Sequence, residues 1–541
     1  MATAELTDHI DERLDELYSR KRSLIRLKEP TPLNYTFVFF ASLVCLLAIY
    51  LPYVQYQFGF NDDYFALFER LRNADWIQAM STQFVLQARP CEALLYVPQV
   101  AFVNHISDFV YVRALGIVYL AGLATCFYSA FLSVRWSRWQ AFTAAICLCA
   151  VPSFQVLLSW GTALQFVVPG IFAFAAWRTL RTHPEQILGR ILKYALALLS
   201  LTLAVTIYQP TAMLFWVFVA IGLSDLETPA KDRLQFLLEA TALAASAYAV
   251  DFATFQIAKN HYGTAALLPG RSNLCIDVLG KIKWFLRNPL IDSLNFLRLQ
   301  NSLSFALRSG AFIAVGMLLY IRGSLKYLAI SAAVALFLIP MAYLPNLLIS
   351  ESVSFFRTQT ALSCLLMFYG MIAIKGILKT FLCRGRAFTL IALASAVLFG
   401  LVAYSNVLNF FAVPQSLELS LLRQQARGGF GAARAKNMML FDREMSLAPF
   451  VRYDEFGMPS SAQEFDRKPL QILLRLEALQ LANPAASPDP NIDISTPLGT
   501  EDSADQIQET SVKEPDVNAK ESNVNTTNDA ELNSEKNDVH K

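Results

Sequence analysis

Residues 35–56 read YTFVFFASLVCLLAIYLPYVQY, and residues 57–64 follow as QFGFNDDY. The first stretch carries no charged residue. At about 1.5 Å rise per residue it is long enough to cross a hydrocarbon core of ~30 Å as a helix. Lipid offers no water to bond backbone groups, so a spanning segment is either a helix or part of a closed barrel. The apolar residues here are continuous rather than alternating, which selects the helix. The second stretch then turns polar and places two adjacent carboxylates, Asp62 and Asp63, just beyond the span.

Runs of the same kind recur through Tyr404. The whole chain of 541 residues is 55% hydrophobic and only 16% charged, where soluble domains carry about a quarter charged residues. Spans are expected at 35–56, 108–134, 141–158, 161–177, 191–208, 210–224, 234–256, 304–321, 327–349, 358–376 and 387–405. The expected fold is therefore all-α, a polytopic transmembrane helix bundle of about 11 spans. The run 210–224 is short for a span, and a re-entrant path there would invert everything after it.

Charge sets the direction. Arg20, Lys21, Arg22, Arg26 and Lys28 crowd the first span, so the N-terminus is expected in the cytoplasm. The loops then expected inside carry Arg135 and Arg138, Arg178 and Arg181, Lys231 and Arg233, Arg322 and Lys326, and Lys375, Lys379, Arg384 and Arg386. Two large loops, 57–107 and 257–303, fall outside, together with the C-terminal region. The first outer loop holds apolar stretches, Phe65 to Leu71 and Ala93 to Phe102, too short to cross; interfacial helices are expected there.

Four regions follow. Residues 1–30 are expected to form a cytoplasmic amphipathic segment through Ile10, Leu14, Leu17 and Tyr18 rather than a cleavable signal peptide. Residues 31–410 form the transmembrane core, and 411–486 an outer C-terminal helical region with Leu417, Leu421, Leu470, Leu473 and Leu474. Residues 487–541 form an acidic tail with thirteen acidic residues, four lysines and no aromatic residue, a composition expected to be disordered.

Several function classes are disfavoured. A net charge of +2 with no basic stripe gives no nucleic-acid surface. The eight cysteines form no C-x-x-C pair, and most read as small buried hydrophobes. Cys91 and Cys275 both fall in outer loops, where two free thiols are expected over a disulfide. The five histidines form no H-x-x-x-H pair, and neither a P-loop nor G-x-S-x-G occurs.

Candidate chemistry lies at the outer ends of the spans. Asp62 and Asp63 are costly at a lipid–water boundary unless solvated, paired or used. One can take a proton from an acceptor hydroxyl; alternatively Asn61 or Asp62 caps a helix starting at Asp63. Arg89, in Gln87-Ala88-Arg89-Pro90, can grip a phosphate by two parallel hydrogen bonds, or can simply snorkel. Tyr208 and Gln209, before Pro210, offer hydrogen bonds to a sugar, or mark an interfacial hairpin. Arg357 closes a short outer loop from Glu351 as a second phosphate ligand or a helix-end anchor. Arg113, Glu239, Asp251 and Arg308 fall within or near the ends of spans. No motif calls for a cofactor, and a divalent metal beside the carboxylates is left open.

In their order these pieces resemble the C-type membrane glycosyltransferases, and most the Gtr-type O-antigen glucosyltransferase domain family. One span is followed by Asp62-Asp63, Trp76, Arg89-Pro90, Pro152-Ser153-Phe154, Tyr208-Gln209-Pro210 and later Arg357, over roughly residues 35–430. That family commonly has Gly before the Arg-Pro, where this chain has Ala88, and an arginine soon after the acid pair, where this chain has Tyr64. The resemblance implies transfer of a sugar, glucose being the family's usual one, from a polyprenyl-phosphate donor to a cell-surface glycan such as O-antigen in lipopolysaccharide. It implies the outer face of the bacterial inner membrane, with the C-terminus periplasmic. It also implies a lipid-sugar flippase and a cytoplasmic synthase as partners, beside membrane lipids and the glycan acceptor. The roles expected are Asp62 or Asp63 as base, Arg89 and Arg357 on the donor phosphate, and Tyr64, Tyr208 and Gln209 around the sugar or acceptor. The other readings are a lipid-linked glycan transporter or flippase, which favours paired charges deep in the bundle and inverted repeats, and a non-catalytic membrane scaffold.

Overall fold

The computed structural model describes residues 32–60, 62–225, 227–263, 273–300, 302–321, 325–381, 385–428, 447–449, 452, 455–462 and 464–482. The expectations for 1–30 and 487–541, and for Asn61 and Cys383, lie outside them. Among the described residues the chain is all-α, with no strand and only two isolated bridges.

In chain order the helices are α1 Pro32–Gln55, α2 Asp62–Arg72, α3 Trp76–Leu86, α4 Glu92–Ala101, α5 Phe109–Leu132, α6 Arg138–Cys149, α7 Pro152–Ser159, α8 Val168–Leu180, α9 Ile187–Ile207, α10 Gln209–Ala212 and α11 Leu214–Leu223. The second half comprises α12 Ala230–Tyr262, α13 Val278–Arg287, α14 Pro289–Leu294, α15 Leu303–Tyr320, α16 Leu325–Met341, α17 Leu344–Leu348, α18 Thr360–Phe381, α19 Gly385–Asn406, α20 Val413–Gly428 and α21 Glu464–Ala482.

Seven helices among the described residues are long and apolar enough to cross a membrane, so the chain is a multi-pass membrane protein. These are α1, α5, α9, α12, α15, α18 and the continuous helix α19–α20. The pair α6–α7, bent by 56°, passes the same test only when taken together, as a broken span or a re-entrant loop, so the candidates number seven or eight. The runs expected as spans at 161–177, 210–224 and 327–349 are helical but shorter, at Leu164–Leu180, Gln209–Leu223 and Tyr327–Met341. Hydropathy averages over their breaks: a turn at Gly161–Ala163, Pro210 beside the non-helical Tyr208, and the turn at Ala342–Tyr343.

The bend between α6 and α7 shows how an apolar run stays satisfied where its helix breaks. Pro152 has no N–H to donate to the preceding turn. Side chains take carbonyls on both sides of the break: Tyr50 Oη donates to Cys149 O at 2.7 Å, Tyr53 Oη to Gln155 O at 2.6 Å, and Gln155 Nε2 to Ala150 O at 2.8 Å, while Cys364 Sγ lies 3.6 Å from Leu148 O, the carbonyl that Pro152 leaves open. Elsewhere small residues let helices touch. A Cβ on Gly316 of α15 would lie 2.4 Å from the Ala373 Cβ of α18, the close backbone approach that drives helix pairing in membranes.

Polar contacts sort the loops into two ends. At the basic end Arg135 pairs with Glu227, Arg181 Nη1 donates to Ser133 Oγ at 2.7 Å, Tyr320 Oη donates to Ser224 O at 3.3 Å, and Lys375 lies 4.8 Å over the Trp136 ring. The opposite end gathers the loops after α1, α3, α7, α9 and α17. The short runs α8 and α10–α11 each begin at the second end and finish at the first.

The loop 57–107 folds as α2, α3 and α4 before reaching α5. Helix α20 continues α19 through a π-turn, Val407–Ala412, so one helix runs through the expected boundary at 410/411. Beyond it α21 packs on α2, and Arg423 of α20 grips Glu477 of α21 with bonds of 2.9 and 3.1 Å. The seven described cysteines, Cys91 and Cys275 among them, are free.

Candidate active site

The expected site residues meet at one end of the bundle, around residues 160–166, Trp160-Gly161-Thr162-Ala163-Leu164-Gln165-Phe166. This segment leaves α7 in extended conformation at Trp160 and tightens into a 3-10 turn, Leu164–Val167. Trp160, Thr162 and Phe166 each contact a candidate, and Gln165 contacts Glu92.

Gly161 and Thr162 hold Asp63. Its Oδ2 accepts from Gly161 N and Phe60 N, both at 3.0 Å, and its Oδ1 accepts from Thr162 N at 2.8 Å and Thr162 Oγ1 at 2.9 Å. Only glycine fits at 161, because a Cβ there would lie 2.4 Å from the Phe109 ring. Asp63 is fully buried. Burial pushes its carboxyl up to about 6, against the pull of Arg113 and of these hydrogen bonds. Arg113, also fully buried, spends its guanidinium on the carbonyls of Phe58 and Tyr53. Asp63 is thus a latch between the start of α2 and the turn after α7.

Asp62, one residue earlier, is exposed. Its charge reaches Glu92 and Tyr96 on α4. Tyr64 is buried, and its hydroxyl accepts from Gly59 N at 3.1 Å. That bond closes the turn Phe58–Phe60.

Arg89 stands on a turn made possible by Ala88, whose φ of +59° is a left-handed conformation that glycine prefers. Arg89 N donates to Phe84 O at 2.8 Å. Its guanidinium lies 4.8 Å over Tyr208 and 5.5 Å over Phe166, and these two rings stack at 3.8 Å. Gln209 Nε2 donates to Ala88 O at 2.7 Å and to Asp251 Oδ2 at 3.5 Å. Arg89, Tyr208 and Gln209 therefore share one cluster.

The cluster also contains Glu92, Gln165 and Phe166, which the sequence reading did not single out. Glu92 Oε2 lies 3.6 Å from Arg89 Nη1, and Gln165 Nε2 donates to Glu92 Oε1 at 3.1 Å. Burial pushes the Glu92 carboxyl up to about 7, against the pull of Arg89 and Gln165. The available signals were the i, i+3 spacing of Arg89 and Glu92, and a glutamine inside an apolar run. Four buried atoms here have no hydrogen-bond partner: Arg89 Nε, Glu92 Oε2, Gln165 Oε1 and Asp251 Oδ1.

Arg357 lies on the other side of the same segment, 4.6 Å over the Trp160 ring and 4.1 Å over Phe355. Its backbone N donates to Glu455 Oε1 at 3.0 Å. Arg452 clamps this loop. It bonds Asp292 Oδ2 at 2.7 Å and Glu455 Oε2 at 2.8 Å, reaches Ser354 O, and stacks 4.0 Å over Phe356. Burial pushes the Glu455 carboxyl up, against the pull of Arg452 and Arg357. Asp292, Arg452 and Glu455 were not singled out either: Arg452 and Glu455 are only three residues apart, but Asp292 and the Arg357 loop that they clamp lie far away in sequence.

Among the described residues no three His, Cys, Asp or Glu side chains gather in a way that could hold a metal ion. No family model, curated protein or solved structure matches the chain.

Proposed function

We propose that the chain is a membrane glycosyltransferase that moves a sugar from a polyprenyl-phosphate donor to a cell-surface glycan. The observation that carries the reading is that residues 160–166 hold Asp63, the neighbour of the exposed Asp62, and supply aromatic rings under both Arg89 and Arg357. Asp62 takes the proton of an acceptor hydroxyl, and that oxygen attacks the anomeric carbon of the sugar. The anomeric C–O bond breaks, and its electrons leave with the polyprenyl phosphate. Arg89 and Arg357 stabilise the charge on the leaving phosphate. Asp63 acts through position, fixing the start of α2 and thereby Asp62. Tyr208 and Gln209 shape the sugar side of the pocket, and Tyr64 fixes the turn ahead of the acid pair.

In this reading the three shorter apolar helices also cross, giving eleven passages. The segments 132–138, 180–187 and 223–230 then meet at a basic cytoplasmic end, and the site lies at the outer face of a bacterial inner membrane. An O-antigen acceptor, glucose as the sugar, and a flippase and synthase as partners complete the proposal. The test is product formation by the purified full chain in lipid nanodiscs, given labelled polyprenyl-phosphate-glucose and a lipopolysaccharide acceptor. Labelled glycan supports the transferase. Movement of the donor across vesicles with no labelled glycan supports a transporter instead.

A further inference from the structure

We infer that the buried face of the Arg89 cluster is a subsite for the hydroxyl groups of the donor sugar, held by Glu92, Gln165 and Asp251. This rests on the transferase reading and names the part of the donor that the cluster takes.

The argument is one of donors and acceptors. Three of the four unpartnered buried atoms, Glu92 Oε2, Gln165 Oε1 and Asp251 Oδ1, are acceptors, and the fourth, Arg89 Nε, is a donor. Glu92 is 2% exposed and Gln165 fully buried. Glu92 Oε2 has only the long ion pair to Arg89 Nη1 at 3.6 Å, and Gln165 Oε1 and Asp251 Oδ1 have no hydrogen bond at all; native structures keep such buried acceptors where a ligand or bound water completes them. An ionised phosphate brings only acceptors and negative charge. It suits Arg89 but meets the acidic side chains of Glu92 and Asp251 and a glutamine oxygen. A sugar hydroxyl both donates and accepts. Adjacent hydroxyls can therefore donate to the three acceptors while one accepts from Arg89 Nε.

The surroundings fit that division. The Arg89 side chain is 22% exposed, and Asp62, the group proposed to meet the acceptor, is exposed and close enough for its charge to act on Glu92. The Phe166–Tyr208 stack fixes the guanidinium from one side. Gln209 ties Asp251 to the turn at Ala88. The outer edge of Arg89 and the platform of Arg357 are left for the phosphate, and the inner edge for the sugar ring.

Ligand-observed NMR on the full chain in nanodiscs tests this with free glucose, galactose and N-acetylglucosamine, and with inorganic phosphate as competitor. At least one sugar should bind, and phosphate should not displace it. Gln165→Leu and Glu92→Gln should each weaken that binding about tenfold, the loss expected for one buried hydrogen bond. Asp251→Asn serves where either variant fails to fold. No sugar binding in the wild type, wild-type binding in the folded variants, or displacement by phosphate overturns the subsite. The transferase reading fails separately: sugar binding without transfer keeps the subsite and removes the reaction. Transfer whose sugar preference is unchanged in Gln165→Leu and Glu92→Gln keeps the reaction and removes the subsite.

Discussion

The Phe166 and Tyr208 rings stack 3.8 Å apart and 8° from parallel, although one ends the turn after α7 and the other caps α9. Arg89 lies over both. The pair turns a flexible arginine into a fixed one. Tyr208→Ala should therefore lower donor affinity about tenfold, the combined worth of the stack and one cation–π contact. Tyr208→Phe should keep most of the affinity, because it retains the ring. Donor KM for the two variants is the readout, and equal values would remove the platform from the account.

Asp63 should matter to folding more than to chemistry. In Asp63→Asn the amide replaces a carboxylate that receives four hydrogen bonds, and Arg113 loses its buried counter-charge. Breaking a buried charge pair costs about 3 kcal/mol. The Tm of Asp63→Asn in nanodiscs should fall by several degrees, whereas Asp62→Asn should match the wild type.

Glu92 should give the fold a pH dependence. Its folded-state pKa lies above the ordinary value of 4.5, at about 7, because burial favours the neutral acid. Its stabilising contribution is therefore fully present below about pH 4.5 and is lost as pH rises through about 7. The loss is on the order of 3 kcal/mol across that window. Asp63, raised from 3.8 to about 6, adds a slope of the same sign at lower pH. The Tm of the wild type should fall between pH 4.5 and 7, and Glu92→Gln should flatten the upper part of that fall. An unchanged slope in the variant would show that Glu92 is not buried as a neutral acid.

Ala88 holds a conformation that costs an L-residue roughly 1 kcal/mol. Ala88→Gly should be neutral to stabilising by up to about 1 kcal/mol, and Ala88→Val destabilising, since branched residues resist positive φ. Tm measurements on the two variants check the order. The same backbone angle gives a physical reason for the glycine expected before Arg-Pro.

The apolar runs were legible because hydropathy is a local property, and each expected run is helical. The pass count was less legible. Thr162 and Ala163 look like span residues, yet they form the turn that binds Asp63. The candidates Asp62, Arg89, Tyr208 and Gln209 could be read from their places at span ends. Their partners could not, because Asp63 meets Thr162, Glu92 meets Gln165, and Asp292 meets Arg452 across long stretches of chain. Periodicity carries no information about such pairings. Nor could the sequence tell that one aspartate of an adjacent pair is locked in the interior and its neighbour exposed.

The most direct test of the account is the turnover of polyprenyl-phosphate-glucose by the full chain carrying Asp62→Asn, in protein that unfolds at the wild-type temperature. A general base is worth at least about a hundredfold in rate. The account predicts that kcat falls by that factor or more, with donor KM nearly unchanged. Wild-type turnover in Asp62→Asn would contradict it.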